Sequence, residues 1–297
     1  MQKEQNVMLK ESELILNEDG SIYHLHLKPG EIAKTIFTVG DPDRVAEVSK
    51  HFDSIELTRS HRELLTHTGM LGKKRVSVIS TGMGTDNIDI VLNELDALVN
   101  IDFETRTVKE EITALNIIRL GTSGALQKNV ELDSVLVSEY AIGFDTTMFF
   151  YPNDYMEDEF IDGLQQAIDE YLDESETLVT TYTAAASPKL LKRFEEYQKG
   201  ITVTSPGFYA PQGRHLRINP WFGNLVNTLA AFRHNDMCLT NLEMETAGIY
   251  ALGSLLGHNC ISFNAILANR VENTFSKKPA ETVQRMIQQV LEKVEKL

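Results

Sequence analysis

The sequence predicts an α/β fold with a mixed, mainly parallel sheet, and three observations carry that prediction. Short β-branched apolar runs alternate with segments whose apolar residues recur every three or four positions. Several of those runs end in Gly, Thr, Ser or charged residues, as strands do where they pass into loops at a sheet edge. The 297 residues contain no internal repeat, low-complexity tract or obvious linker. They are therefore read as one domain over residues 21–297, preceded by a polar, flexible arm over residues 1–20.

Composition narrows the function classes. A chain that is 42% hydrophobic and 24% charged has the make-up of a soluble globular protein. No apolar run approaches a membrane span, and the first residues lack the apolar core of a secretory signal, so a cytoplasmic address is the expectation. Cys238 and Cys260 stand far apart without metal-ligand spacing, and neither a disulfide framework nor a structural metal site is expected. A formal charge of −15 disfavours nucleic acid and anionic membrane as partners. An anion site in such a chain has to be a local basic pocket, which makes clustered arginines informative.

Taken in order, residues 21–27 alternate polar and apolar, which predicts an extended segment ending at Lys28-Pro29-Gly30. Ile36-Phe37-Thr38-Val39 reads as a strand that Gly40-Asp41-Pro42 breaks; Pro suits a first helical turn, and Arg44 follows inside it. Exposed N–H groups at such a helix start, beside a guanidinium, favour an anion. Residues 55–58 form a short strand, with Ser60-His61-Arg62-Glu63 as a polar connection after it. Residues 75–80 are a strand ending in Thr81-Gly82-Met83-Gly84, and the spacing of Ile88, Val91, Leu92, Leu95, Leu98 and Val99 predicts a helix from about Asp86.

Residues 115–120 are an apolar strand containing Arg119 and broken by Gly121-Thr122-Ser123-Gly124, and residues 134–142 are another strand. From Asn153 to Glu176 the chain is acidic, with Phe160, Ile161, Leu164, Ile168 and Leu172 at helical spacing, which describes a solvated helix. A strand over 178–183 and a short helix over 188–197 follow, then a loop over 205–215 that brings Phe208, Gln212 and Arg214 together. Residues 237–242 are a strand leading through Glu243-Met244-Glu245 into a helix of small residues, and 261–268 are a late strand ending at Asn269-Arg270. Val283, Met286, Ile287, Val290, Leu291 and Val294 mark an amphipathic C-terminal helix with Pro279 near its start.

Polar groups thus recur at the carboxyl ends of several predicted strands, the edge where open α/β sheets bind ligands. Arg44 and Arg119, with Thr122 nearby, suit a tetrahedral dianion; a surface ion pair explains either arginine alone, but the two together favour the anion. Glu243 and Glu245 suit the hydroxyls of a sugar, although an acidic pair at a helix start also complements the helix dipole. His24 reads from its own surroundings as an ordinary strand histidine.

The segments GDPDRV (40–45), SHRE (60–63), STGMGT (80–85), IRLGTSGALQ (118–127) and NLEMET (241–246) together resemble the nucleoside phosphorylase-I family. The resemblance runs from about Ile22 to the C-terminus. Phe208, Gln212 and Arg214 are similar to the base-recognition set of its uridine phosphorylases. It implies a central sheet distorted into a barrel-like form and flanked by helices. The implied activity is reversible phosphorolysis of uridine to uracil and ribose 1-phosphate in pyrimidine salvage and catabolism, with inorganic phosphate as co-substrate and no cofactor. By resemblance, phosphate is held by Gly40, Arg44, Arg119 and Thr122, with Arg62 reaching in from a neighbouring subunit. Ribose contacts Thr122, Met244 and Glu245, with the partner's His24 at the 5′-hydroxyl. The base lies near Phe208, with Gln212 and Arg214 on its polar edge and Ser123 and Gly124 lining the pocket. A homodimer or hexamer with shared sites follows. Relatives bind potassium at the residue matching Glu63, but Asn87 stands here where they carry Ser. The 153–207 region is longer than the resemblance leads one to expect. A purine phosphorylase, a nucleosidase or a non-catalytic nucleoside-binding protein are the alternatives; Ala268-Asn269-Arg270 offers no Asp as a purine acid, and a hydrolase has no need of the arginines.

Overall fold

The computed structural model describes residues 7–152 and 159–296. The chain runs β1 (Thr35–Val39), α1 (Pro42–Ser49), β2 (Ser54–His61), β3 (Leu64–Leu71), β4 (Lys74–Ser80), α2 (Thr85–Asn100), β5 (Ile101–Asp102) and β6 (Thr107–Val108). There follow β7 (Asn116–Ala125), β8 (Val135–Gly143), α3 (Glu159–Glu174), β9 (Tyr182–Ala185), the single turn α4 (Pro188–Leu191), β10 (Gln198–Thr204) and α5 (Leu225–Ala231). The last elements are β11 (Arg233–His234), β12 (Met237–Glu243), α6 (Thr246–Leu255), β13 (Asn259–Asn269), β14 (Thr274–Phe275) and α7 (Pro279–Lys296).

Five strands close into a ring. β7 pairs β13, β13 pairs β8, β8 pairs β10, β10 pairs β12, and β12 returns to β7 through Asn241–Ala125 and Leu242–Gly124. From β7 the sheet continues outward as β1, β4, β3 and β2. Register shifts interrupt the β7–β13, β8–β10 and β10–β12 ladders, and such bulges supply the bend that closure needs. The expected barrel-like mixed sheet is therefore present, with its longest ladders parallel and its closure onto β7 antiparallel. Strands β1 and β7 are buried on both faces, which is why they read as continuous apolar runs rather than alternating ones. Helix α2 buries Ile88, Val91, Leu92, Leu95 and Leu98, and truncating Ile88 or any one of the leucines to Ala costs about 2–5 kcal/mol by lost transfer and cavity formation. A second apolar cluster joins α3 and α5 to the ring. No helix among the described residues is long and apolar enough to cross a membrane.

Several expectations change. The strand predicted to stop at Gly121 runs on to Ala125, because β13 pairs with it along its whole length. The 60–63 connection is the end of β2 and a two-residue turn into β3, which the sequence reading lacked. Strand β10 and helix α5 were also unforeseen, and the 178–183 strand is the shorter, later β9. The 21–27 segment is a turn, with His26 at φ 52° and the Ile22 N–H on the Leu27 carbonyl, because alternation alone cannot register a reversal without a ladder partner. The proposed arm is tied down over its described residues, 7–20. Leu14 is buried in the main core, and Arg106 donates to the carbonyls of Leu9, Lys10 and Leu14. Residues 1–6 of that arm and 153–158 of the acidic stretch lie outside the described residues.

Candidate active site

A cavity of about 750 Å³ opens at the carboxyl ends of β1, β4, β7 and β12, within the size range of small-molecule sites. One group of its residues surrounds the α1 start and includes Gly40, Arg44 and Gly82; another, around the 205–215 loop, includes Phe208, Gln212 and Arg214. The β12–α6 junction, Glu243-Met244-Glu245, lines it too, with Thr122, Ser123 and Gly124 of β7.

At the first group, Pro42 opens α1 and the Asp41 side chain caps it by accepting the Asp43 N–H at 3.0 Å. One of the helix-start donors counted as free for an anion is therefore taken, and the basic groups carry more of the site's attraction. Burial, and then the nearby Arg119 charge, push the Arg44 pKa down, so an anion beside it would relieve both costs.

Arg119 is buried, and its ends are spoken for. Nη2 meets Glu245 Oε2 at 2.6 Å and Glu243 Oε2 at 2.9 Å; Nη1 donates to Asn264 Oδ1 at 3.2 Å and Ser262 Oγ at 3.4 Å. Gly121 makes room: a Cβ there would stand 1.9 Å from Arg119 Nη1. The two carboxylates have separate duties. Glu243 accepts from Thr204 Oγ1 and from the Glu245 and Thr246 N–H groups, so it complements the start of α6. Glu245 joins the Arg119 guanidinium to the Gly84 N–H, which donates to its Oε1 at 2.9 Å. Burial raises the Glu245 carboxyl against the opposing pull of Arg119.

In the second group, the Arg214 guanidinium carbon lies 3.8 Å above the Phe208 ring centroid, and Nη1 donates to the Phe208 carbonyl at 2.8 Å and to Gln212 Oε1. Gln212 is buried, and its backbone carbonyl accepts from Arg270 at 2.9 Å. Burial, then the Arg270 charge, bring the Arg214 pKa down to about 10. Arg270, which does not line the cavity, places a second positive charge close to Arg214. Ser123 Oγ accepts from Asn241 at 3.0 Å.

The fold thus brings together Gly40, Arg44, Arg119, Thr122, Ser123, Gly124, Phe208, Gln212, Arg214, Met244 and Glu245 in one cavity. His24 and Arg62 are not among its lining residues. Arg62 is exposed at the β2–β3 turn with φ 54°, and His24 lies on Glu94. Glu63 and Asn87 both line the cavity, but they bring a single carboxylate and an amide nitrogen directed to the Met83 carbonyl at 3.4 Å. Sequence reasoning missed Gly121, Asn264, Leu267, Arg270 and Phe275 as parts of the site. Arg270 had been read only for the acid it does not supply, and the Phe275 position depends on the β13–β14 pairing.

A family model described as the phosphorylase superfamily matches residues 34–297. The chain belongs to that superfamily. A uridine phosphorylase of Thermococcus kodakarensis is 32% identical over 264 residues, covering 88% of this chain and 82% of the relative. A purine nucleoside phosphorylase of the DeoD type from Alkaliphilus metalliredigens is 25% identical, covering 92% of this chain and 99% of the relative. Among solved structures, a Trypanosoma brucei nucleoside phosphorylase described as showing uridine phosphorylase activity superimposes with a TM-score of 0.85 at 31% identity, over 96% of this chain and all of that one.

Proposed function

We propose that this chain is a uridine phosphorylase, splitting uridine with phosphate into uracil and ribose 1-phosphate and running the reaction in reverse. The observation that carries the reading is that one cavity is lined by an arginine pair, by an aromatic, amide and guanidinium set, and by a carboxylate paired with one of the arginines. The two relatives above 30% identity that bear this activity in their descriptions support it.

In this reading Gly40, Arg44, Arg119 and Thr122 hold phosphate beneath C1′ of the ribose, and Met244 and Glu245 hold the sugar. Cleavage of the glycosidic bond builds positive charge on the sugar and negative charge on the base. Phosphate stabilises the first and then forms the new bond to C1′, so no protein nucleophile is required. Arg214, with Gln212, stabilises the second from a region that Arg270 makes more positive. Ser123 and Gly124 border the base. Arg62 and His24 act on the site of a second copy, which is why neither lines the cavity of its own chain.

Turnover of uridine, deoxyuridine, thymidine and inosine with and without phosphate tests this. Phosphate-dependent cleavage of the pyrimidine nucleosides is expected. Equal cleavage without phosphate, or a preference for inosine, would overturn it.

A further inference from the structure

Away from the cavity, the turn that carries His24 is gathered onto one carboxylate. Glu94, on α2, accepts the His24 N–H at 3.0 Å, the Leu25 N–H at 2.8 Å and His24 Nδ1 at 2.6 Å. A carboxylate has no proton to give, so Nδ1 carries the hydrogen and a neutral ring keeps Nε2 as its acceptor. The turn is fixed from other sides as well. The His24 carbonyl accepts from His61 Nδ1 at 3.0 Å, the His26 and His61 rings stack with centroids 3.8 Å apart, and Asn17 donates to the Ile22 carbonyl at 3.1 Å. His61 is the residue before Arg62, so this network lies next in the chain to the other group read above as serving a second copy.

We infer that Glu94 is a positioning residue for recognition of the ribose 5′-hydroxyl: it holds His24 as the Nδ1–H tautomer and so presents Nε2 as a hydrogen-bond acceptor to that hydroxyl. This rests on the reading that His24 serves the site of a second copy. The chemistry is directional. The 5′-hydroxyl must donate, and a nucleoside whose 5′ position cannot donate gains nothing from His24.

The test compares kcat/KM for uridine and 5′-deoxyuridine in the full-length enzyme and in the variants His24→Ala, Glu94→Gln and the double variant. The amide nitrogen of Gln cannot accept, so Glu94→Gln must give up at least one of the three donors. Each single variant is expected to reduce the preference for uridine by about three- to tenfold, the range for one lost hydrogen bond, and the double variant to add nothing. If His24→Ala leaves the preference intact, the reading of His24 itself fails. If His24→Ala removes the preference and Glu94→Gln retains it, or if the losses add in the double variant, only the positioning role fails. A measurement on the unmutated protein stands beside these: nitrogen NMR shifts of the neutral His24 ring, followed to a pH where it carries one proton and assigned against His24→Ala, are expected to show that hydrogen on Nδ1. A neutral ring with its hydrogen on Nε2 overturns the inference.

Discussion

Arg119 Nη2 and Glu245 Oε2 meet at 2.6 Å in a buried ion pair that ties the middle of β7 to the start of α6. The pair is also where the two halves of the proposed chemistry touch, since one partner is assigned to phosphate and the other to ribose. Replacing Arg119 by Ala leaves Glu243 and Glu245 adjacent and uncompensated, and a loss of about 3–5 kcal/mol in urea-unfolding free energy is expected. Replacing Glu245 by Gln keeps the shape and Glu243 as a countercharge, so unfolding should change by only about 1–3 kcal/mol. Its kcat/KM for uridine should still fall by tenfold or more, on the order of the loss of one charge-assisted hydrogen bond.

Gly121→Ala is expected to act on Arg119 without touching its chemistry. The added carbon would lie 1.9 Å from Nη1 and 2.3 Å from Cζ, and four acceptors hold that guanidinium in place. The side chain must shift, and the phosphate KM should rise by about tenfold or more, on the order of one charge-assisted hydrogen bond. An unchanged phosphate KM would mean that Arg119 can bind phosphate from elsewhere.

Arg214→Lys keeps the charge but loses the planar face over Phe208 and the rigidly placed Nη1 that donates to both the Phe208 carbonyl and Gln212. If Arg214 stabilises the departing base, the defect should shrink when the base is a better leaving group. kcat for 5-fluorouridine should therefore fall less than kcat for uridine. Equal falls for both would assign Arg214 to binding alone.

His258 offers a pH test of the fold. Its Nδ1 accepts the Leu115 N–H at 3.3 Å, and burial pushes its pKa down to about 4, although Asp96 Oδ1 stands 3.4 Å from Nε2. The unfolded chain therefore takes up this proton near pH 6.5 while the folded chain resists it. Stability should decline as pH falls from about 6.5 to 4, by up to about 3 kcal/mol from this group, and then level off. Burial raises the Asp96 carboxyl, which acts in the opposite sense and favours the folded state at the acid end. Urea unfolding of the protein and of His258→Asn across this range should give a shallower slope for the variant.

Where local chemistry and tertiary pairing agree, the sequence was legible. Pro42 and Asp41 at the start of α1, the apolar stripe of α2 and the run of β7 residues around Arg119 each carried their own signal. The unforeseen elements depend on neighbours. β10 sits between β8 and β12; its alternating run, Ile201-Thr202-Val203-Thr204, is only four residues long and follows Gly200, where a side chain would meet Thr240. The site followed the same division. Arg44, Gln212 and Arg214 stood in marked loops, whereas Asn264 and Arg270 gain their roles from a ladder formed with residues more than a hundred positions away. The backbone partners of Glu243 and Glu245 were hidden for the same reason: both meet Arg119, but only the folded junction puts Glu243 on the first N–H groups of α6 and Glu245 on the Gly84 N–H.

The closure of β12 onto β7 bears on how the enzyme comes into being. Arg119 leaves the ribosome with none of its partners: the carboxylates Glu243 and Glu245 and the acceptors Ser262 and Asn264 are all synthesised more than 120 residues later. Until they arrive, the guanidinium has no paired interior to enter and favours water, so the early strands can form while the ring stays open. Contacts of such long sequence separation are slow to form. A nascent chain that stops before β13 therefore lacks half the groups that allow Arg119 to be buried. Catalytic competence arrives with nearly the last strand translated.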